Sequence, residues 1–196
     1  MYELKDHDII FIFTGPNGAG RKTVAQMSGD TLGMKQVISY TTRAPRSSEV
    51  DGQDYHFVSK DEFIAAERNQ EFVEVIEIDG NRYGVKEQDV ADMLQKHGAI
   101  YLVLNRFGAE SLKQRYGRKA ARIFIYADLK TIVKREEERG DSPELIDRYT
   151  SHYDEEMAYK DHCEHIFENL DLAHTVFDLT KTLDDNYLHR NLVDKD

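Results

Sequence analysis

"FTGPNGAGRKT", Phe13–Thr23, is the stretch that decides the fold. Before it, "IIFIF" (9–13) is a short, continuous apolar run of the kind that forms a buried strand. After it, "KTVAQM" begins a helix. Gly15, Gly18 and Gly20 fall between the two, where a glycine-rich turn lets several backbone N–H groups converge on one anion and the following helix adds its positive end. The pattern is close to G-x-x-x-x-G-K-[ST], except that Arg21 occupies the lysine slot and Lys22 follows one place late. Arginine keeps the charge, but its planar fork is bulkier and aims differently from an ammonium. A one-residue displacement at a helix start means about 100° of rotation. Gly15, Asn17, Gly18, Ala19, Gly20, Arg21, Lys22 and Thr23 are therefore the candidate phosphate-binding set, with the Thr23 hydroxyl the candidate contact for magnesium. An ordinary glycine-rich strand–helix turn is the plainer alternative.

Outward from this loop, "QVISY" (36–40) reads as a second strand, and Thr41–Val58 as a polar, turn-rich segment. Ser59 and Glu62 have capping-box spacing ahead of a helix. "EFVEVIEI" and "NRYGV", joined by Asp79-Gly80, read as a hairpin, which makes the region a small strand-rich insert. Strand and helix patterns then alternate: "KEQDVADMLQKHG", "AIYLVLN", "GAESLKQRYG", "RIFIYA", and "DLKTIVKREEERG" capped by Asp128. "SPELIDRYTSHYDEEMAYKD" reads as one helix with proline at its first position, "HIFEN" as the last strand and 171–192 as a closing helix. Such alternation predicts a parallel sheet with helices on both faces, an α/β three-layer core.

The chain has 196 residues, 32% charged and 40% apolar, within the range of a single globular domain. A net charge of −11 argues against a nucleic-acid partner. "AIYLVL" and similar runs are too short to span a bilayer, and "MYELKDHD" does not read as a signal peptide. With Cys163 as the one cysteine, a reducing cytoplasm is the expected location. The histidines at 152, 162, 165 and 174 lack zinc-motif spacing and read as surface residues. Tyr149, Tyr153 and Tyr159 read as helix packing. Whether the chain forms a homo-oligomer is left open.

"SYTTRAPRSSEVDGQDYHF" (39–57) concentrates Ser39, Arg43, Arg46 and Tyr55 in one segment. Two arginines and a phenol make an anion cage suited to a terminal phosphate, and a solvated basic turn is the alternative. Thr41–Phe57 matches T-T-R-x-P-R-x-x-E-x-x-G-x-D-Y-x-F throughout, and "EFVEVIEIDGNRYG" resembles E-F-[IL]-E…G-x-x-Y-G. On these motifs the chain resembles the guanylate kinases, from Ile9 to about Phe177.

The resemblance implies a P-loop NTPase core (1–35, 89–126 and 157–196), a GMP-binding insert (36–88) and a helical lid (127–156). It implies that Arg43, Arg46, Tyr55 and Tyr83 hold the phosphate of GMP. It implies too that Ser39 and Glu74 read guanine, and a carboxylate is suited to that in accepting from both N1–H and N2–H. Arg135, Arg139 and Arg148 match the phosphate-clamping lid arginines; a charged helical face built on i,i+4 pairs in "KREEER" is the alternative. Asn169 lies where the family places a residue near adenine. ATP and GMP are the implied substrates, with Mg²⁺ arriving on ATP.

The chain departs from the family at Arg21 and in "YLVLNRFGA", where the usual two acids are Val103 and Asn105. Asn105 keeps hydrogen-bonding capacity toward the base, whereas Val103 offers no acceptor. The expected function is transfer of phosphoryl from ATP to GMP. The alternatives are a pseudokinase holding phosphorylated ligands in the arginine–tyrosine cage, or a kinase of another small phosphorylated acceptor.

Overall fold

The computed structural model describes residues 2–46 and 49–188. In chain order the strands are β1 (Ile9–Thr14), β2 (Lys35–Gln36), β3 (Tyr40–Thr41), β4 (His56–Phe57), β5 (Phe72–Ile78), β6 (Asn81–Lys86), β7 (Ala99–Val103), β8 (Ala120–Tyr126) and β9 (His165–Glu168). The α-helices are α1 (Arg21–Leu32), α2 (Lys60–Arg68), α3 (Glu87–His97), α4 (Arg106–Tyr116), α5 (Leu129–Arg139), α6 (Pro143–Thr150), α7 (Tyr153–Met157) and α8 (Leu172–Leu183).

All six residues of β1 are buried, as a continuous apolar run at the centre of a sheet requires. The main sheet has the order β2-β7-β1-β8-β9 and is parallel throughout. Alternation along β1 divides the core. Phe11 and Phe13 pack with Val24 and Ala25 of α1 and Leu179 and Leu183 of α8. Ile10 and Ile12 pack on the other face with Val90 and Leu94 of α3 and Ala109 and Leu112 of α4. The helices thus cover both faces of the sheet, the arrangement that short crossovers between parallel strands enforce.

A second sheet, β4-β3-β6-β5, is built from residues 40–86. Its β5–β6 hairpin turns at Asp79 (φ 50°) and Gly80 (φ 72°), both in the left-handed region that a tight hairpin turn needs. The stretch expected as one strand, "QVISY", divides between the two sheets. Lys35–Gln36 pairs with β7, Val37 N–H still donates to Tyr101 O at 2.9 Å, and Tyr40–Thr41 then pairs with β6.

The expected helix over 142–161 is also divided. The Thr150 hydroxyl donates to Ile146 O at 2.9 Å and the Ser151 hydroxyl to Arg148 O at 2.9 Å, competing for carbonyls the helix would use. At the C-terminus α8 stops at Leu183 and a π-helical turn covers Asp184–Leu188; the rest of the expected helix lies outside the described residues. Among the described residues no helix is long and apolar enough to cross a membrane.

Candidate active site

The glycine loop leaves the C-terminal end of β1 with φ 126° at Gly15, 76° at Gly18 and 87° at Gly20. Close packing adds a second demand at all three positions, a Cβ on Gly20 falling 2.5 Å from Asn169 Nδ2. A Cβ on Gly15 would lie 2.1 Å from Ile125 O, and one on Gly18 would lie 2.6 Å from Ile132 Cγ2 and 2.7 Å from Glu136 Oε1. Asn169, buried just after β9, donates from Nδ2 to Ala19 O at 2.8 Å. Its position in the structure is therefore that of a prop under the loop. Gly20 is the N-cap of α1 and supplies no side-chain cap, so the first-turn N–H groups are available to an anion.

Arg21 and Lys22 point apart. Arg21 spans the loop, donating from Nη2 to Asn17 Oδ1 (2.7 Å) and from Nη1 to Leu104 O (3.0 Å) just past β7. Burial lowers its pKa, opposed by the nearby Glu156 carboxylate and the Tyr55 phenol. Lys22 reaches the loop ahead of β4: its Nζ lies 2.8 Å from Asp54 Oδ1 and 5.0 Å from the centre of the Tyr55 ring. Beside them a cleft of about 530 Å³ is lined by Lys22, Thr23, Asp30, Asp54, Tyr101 and Val103.

Across Tyr55 stands the arginine–tyrosine group. The Arg43 guanidinium lies 5.5 Å from the Tyr55 ring centre and pairs with Glu49 Oε1 at 2.9 Å. Tyr83 stands edge-on to Tyr55 at 5.9 Å. Burial pushes the Tyr55 phenol up, while Arg21, Arg43 and Arg46 nearby pull it down. Arg46 lies 4.4 Å over the ring of Tyr149 on α6. Tyr149 thus serves a cation, where simple helix packing was expected. Tyr159 also has a polar role, bonding Glu110 and Arg122 through its hydroxyl.

At the other end, Ser39 and Glu74 are buried. Burial pushes Glu74 up to about 7, and among the described residues its Oε2 has no hydrogen-bond partner. Asn105 falls at the N-cap of α4, where its Oδ1 accepts from Gly108 N–H at 3.0 Å. The strand expected through 105 therefore ends at Val103 and the helix starts at Arg106.

Of the arginines on α5 and α6, Arg135 donates to Asn169 O (2.8 Å) and Leu170 O (3.2 Å). Arg139 pairs with Glu136 and Asp141. Glu136 is buried against Gly18, and desolvation holds its carboxyl above the usual range. Among the described residues Lys134–Glu138 is the one i,i+4 ion pair within "KREEER", at 3.8 Å. Arg148 is exposed on α6 and is not drawn into these contacts. Of the four histidines, His165 is half-buried and bonds the Tyr187 hydroxyl at 2.8 Å, a correction to its reading as a surface residue. No group of three or more His, Cys, Asp or Glu among the described residues could hold a metal ion.

The sequence reading missed the acids that partner these cations. Glu49 and Asp54 were visible as fixed letters of the matched motif. Glu156, which accepts from Arg106 Nη1 at 3.1 Å, gave no such signal, because fifty positions separate the pair.

A parallel sheet that feeds a glycine loop into a helix, facing an arginine–tyrosine pocket on a second sheet, defines a P-loop phosphotransferase. The family model described as guanylate kinase matches residues 8–186. A guanylate kinase from Dechloromonas aromatica is 32% identical over 172 residues, 87% of this chain and 85% of the relative. One from Paraburkholderia xenovorans is 34% identical over 170 residues, 84% and 75% of the two chains. The crystal structure of guanylate kinase from Anaplasma phagocytophilum shares the fold, with a TM-score of 0.72 at 22% identity over 94% of this chain and 89% of that one. The chain belongs to the guanylate kinase family.

Proposed function

We propose that the protein transfers the terminal phosphoryl group of ATP to GMP, giving ADP and GDP. One observation carries this reading: the Tyr55 ring has both Lys22, at the start of α1, and Arg43, just past β3, beside it, 5.0 and 5.5 Å from its centre. A donor phosphate on the loop and an acceptor phosphate on the arginine–tyrosine group would therefore abut. In this reading Gly15–Thr23 wraps the ATP phosphates, and Arg43, Arg46, Tyr55 and Tyr83 hold the GMP phosphate. Ser39, Glu74 and Asn105 face the base, and Asn169 positions the loop below the adenine. Arg135, Arg139 and Arg148 clamp the transferring group from residues 127–156 acting as a lid, with 36–88 as the acceptor-binding insert. A cytoplasmic setting accords with the single cysteine.

Phosphoryl transfer asks for positioning and charge neutralisation, without a protein nucleophile. The acceptor oxygen is already anionic, so the work of the chain is to bring two phosphates together against their repulsion. Arg21 and Lys22 supply cations from the donor side and Arg43 and Arg46 from the acceptor side. The Thr23 hydroxyl, with Asp30 and Asp54 in the same cleft, suits a magnesium ion that keeps most of its water. When bound, that ion supplies further charge neutralisation.

The test is coupled-assay turnover with ATP, magnesium and GMP, with AMP as control acceptor and GMP binding by calorimetry in parallel. Turnover with GMP and none with AMP is expected, and Arg21→Ala lowers kcat about 10²–10³-fold. GMP binding without turnover would make the protein a binding module and overturn the catalytic reading.

A further inference from the structure

Arg21 stands where the loop pattern has a lysine, and what fixes the direction of its planar head becomes a question of its own. Its two hydrogen bonds go to neutral oxygens, Asn17 Oδ1 and Leu104 O. They use two of the five guanidinium N–H groups and leave three for a phosphate. The carboxylate beside it is Glu156, on α7. Only 13% of the Glu156 side chain is exposed. Its Oε1 accepts from Arg106 Nη1 at 3.1 Å. Its Oε2 is buried and, among the described residues, has no hydrogen-bond partner. Arg106 opens α4, two residues past the Leu104 carbonyl that anchors Arg21. The turn from β7 into α4 therefore holds Arg21 through a carbonyl and Glu156 through a guanidinium. Burial pushes the Glu156 carboxyl up, and Arg21 and Arg106 are the two cations that pull it down.

A lysine in this slot would need no such neighbour. Its ammonium is a compact charge with rotating donors, so its direction matters little. An arginine fork serves a phosphate only when its free N–H edge is turned toward it, and transfer depends on charge set in place before the reaction. Two neutral acceptors hold the fork at its rim. The Glu156 charge adds a fixed attraction, strengthened because the group is taken out of water. Glu156 in turn depends on Arg106, since a buried carboxylate without a partner is costly. It also closes the segment 127–156, so the counter-ion of Arg21 belongs to the same stretch of chain as Arg135, Arg139 and Arg148.

We propose that Glu156 is a positioning residue for the transfer: it holds the Arg21 guanidinium with its free edge toward the phosphates, and Arg106 holds Glu156. Glu156 touches neither nucleotide and acts through Arg21. This rests on the phosphoryl-transfer reading above, in which Arg21 supplies a donor-side cation, and it names what that cation needs in order to work from a lysine's place.

The experiment is a double-mutant cycle. Values of kcat and KM for ATP and GMP are measured in the wild type, Glu156→Gln, Arg21→Ala and the double variant, with thermal melts to check folding. Glu156→Gln keeps the side chain's size and its acceptor toward Arg106, and removes the charge. It should lower kcat about tenfold, the scale of coupling within one charge network, with both KM values within about twofold of the wild type. On the Arg21→Ala background the same change should alter kcat by less than about twofold, because no guanidinium is left to orient. A merely structural Glu156 would lower kcat by the same factor on both backgrounds, and that result overturns the proposal. An unchanged kcat in Glu156→Gln overturns it as well. If Glu156→Gln does not fold, Arg106→Met replaces it in the cycle, with the same loss expected beside Arg21 and none beside Ala at 21. A wild type that turns over no GMP brings down the kinase reading, and the positioning role falls with it.

Discussion

Glu74 carries a cost that its proposed role explains. It is 7% exposed, and desolvation raises its pKa from 4.5 to about 7. The folded chain therefore holds this proton more tightly than the unfolded chain does. Stability falls as pH rises from the unfolded value through about 7, and the whole loss, on the order of 3 kcal/mol, is present above that. Glu74→Gln keeps the volume and removes the charge. Denaturant unfolding should show the variant gaining stability over the wild type at pH 8.5 and little at pH 5, while GMP affinity drops about 10- to 100-fold. The identity of this carboxylate was legible in "EFVEVIEI", because the motif names it. Its protonation was not, since that depends on how completely β5 and α4 enclose it. Asn105 has the same history: its type was readable from the chain, but not its use as a helix cap, which fixes the one polar group it has left.

The elements were readable where local chemistry decides them. Ser59 and Glu62 form the capping box their spacing announces, with the Ser59 hydroxyl accepting from Glu62 N–H and the Glu62 carboxylate accepting from Ser59 N–H. The helix they start, α2, presses Phe63 against Phe72 of β5, the rings stacked at 4.5 Å. Ser59→Ala should lower stability by about 1 kcal/mol and Tm by about 2–4 °C, read by calorimetry. GMP affinity should stay unchanged, because the cap lies away from the phosphate and base contacts. Elements whose fate depends on distant partners were not readable. "QVISY" has a strand's composition, but nothing in it says that Gln36 belongs to β7 and Tyr40 to β6. The division of the 142–161 helix turns on two hydroxyls choosing carbonyls, which composition does not rank.

At the scale of the whole molecule, the loop between β3 and β4 and helix α6 touch through Arg46 and Tyr149. That contact is worth about 0.5–1 kcal/mol at an exposed site. Tyr149→Ala should speed amide hydrogen exchange in residues 143–150 without nucleotide, leaving the protection of β1 and β8 unchanged. The α/β architecture was legible because apolar runs alternate with amphipathic helices. The way cations are distributed over the finished molecule was not. Lys22 is held by Asp54, Arg43 by Glu49, and Arg139 by Glu136 and Asp141. A nucleotide diffusing toward a chain of net charge −11 thus meets a site in which these three positive groups are already answered at short range. Its approach is opposed by the distant field, and the attraction appears only when phosphate displaces carboxylate at contact. Raising ionic strength from about 10 to 100 mM shrinks the reach of that field from roughly 30 to 10 Å. The stopped-flow association rate for GMP should therefore climb with salt over this range, the reverse of electrostatic steering. Speed of capture would then be limited by exchange of partners inside the site, and selectivity gains from it, because only an anion shaped to replace several carboxylates at once completes the exchange.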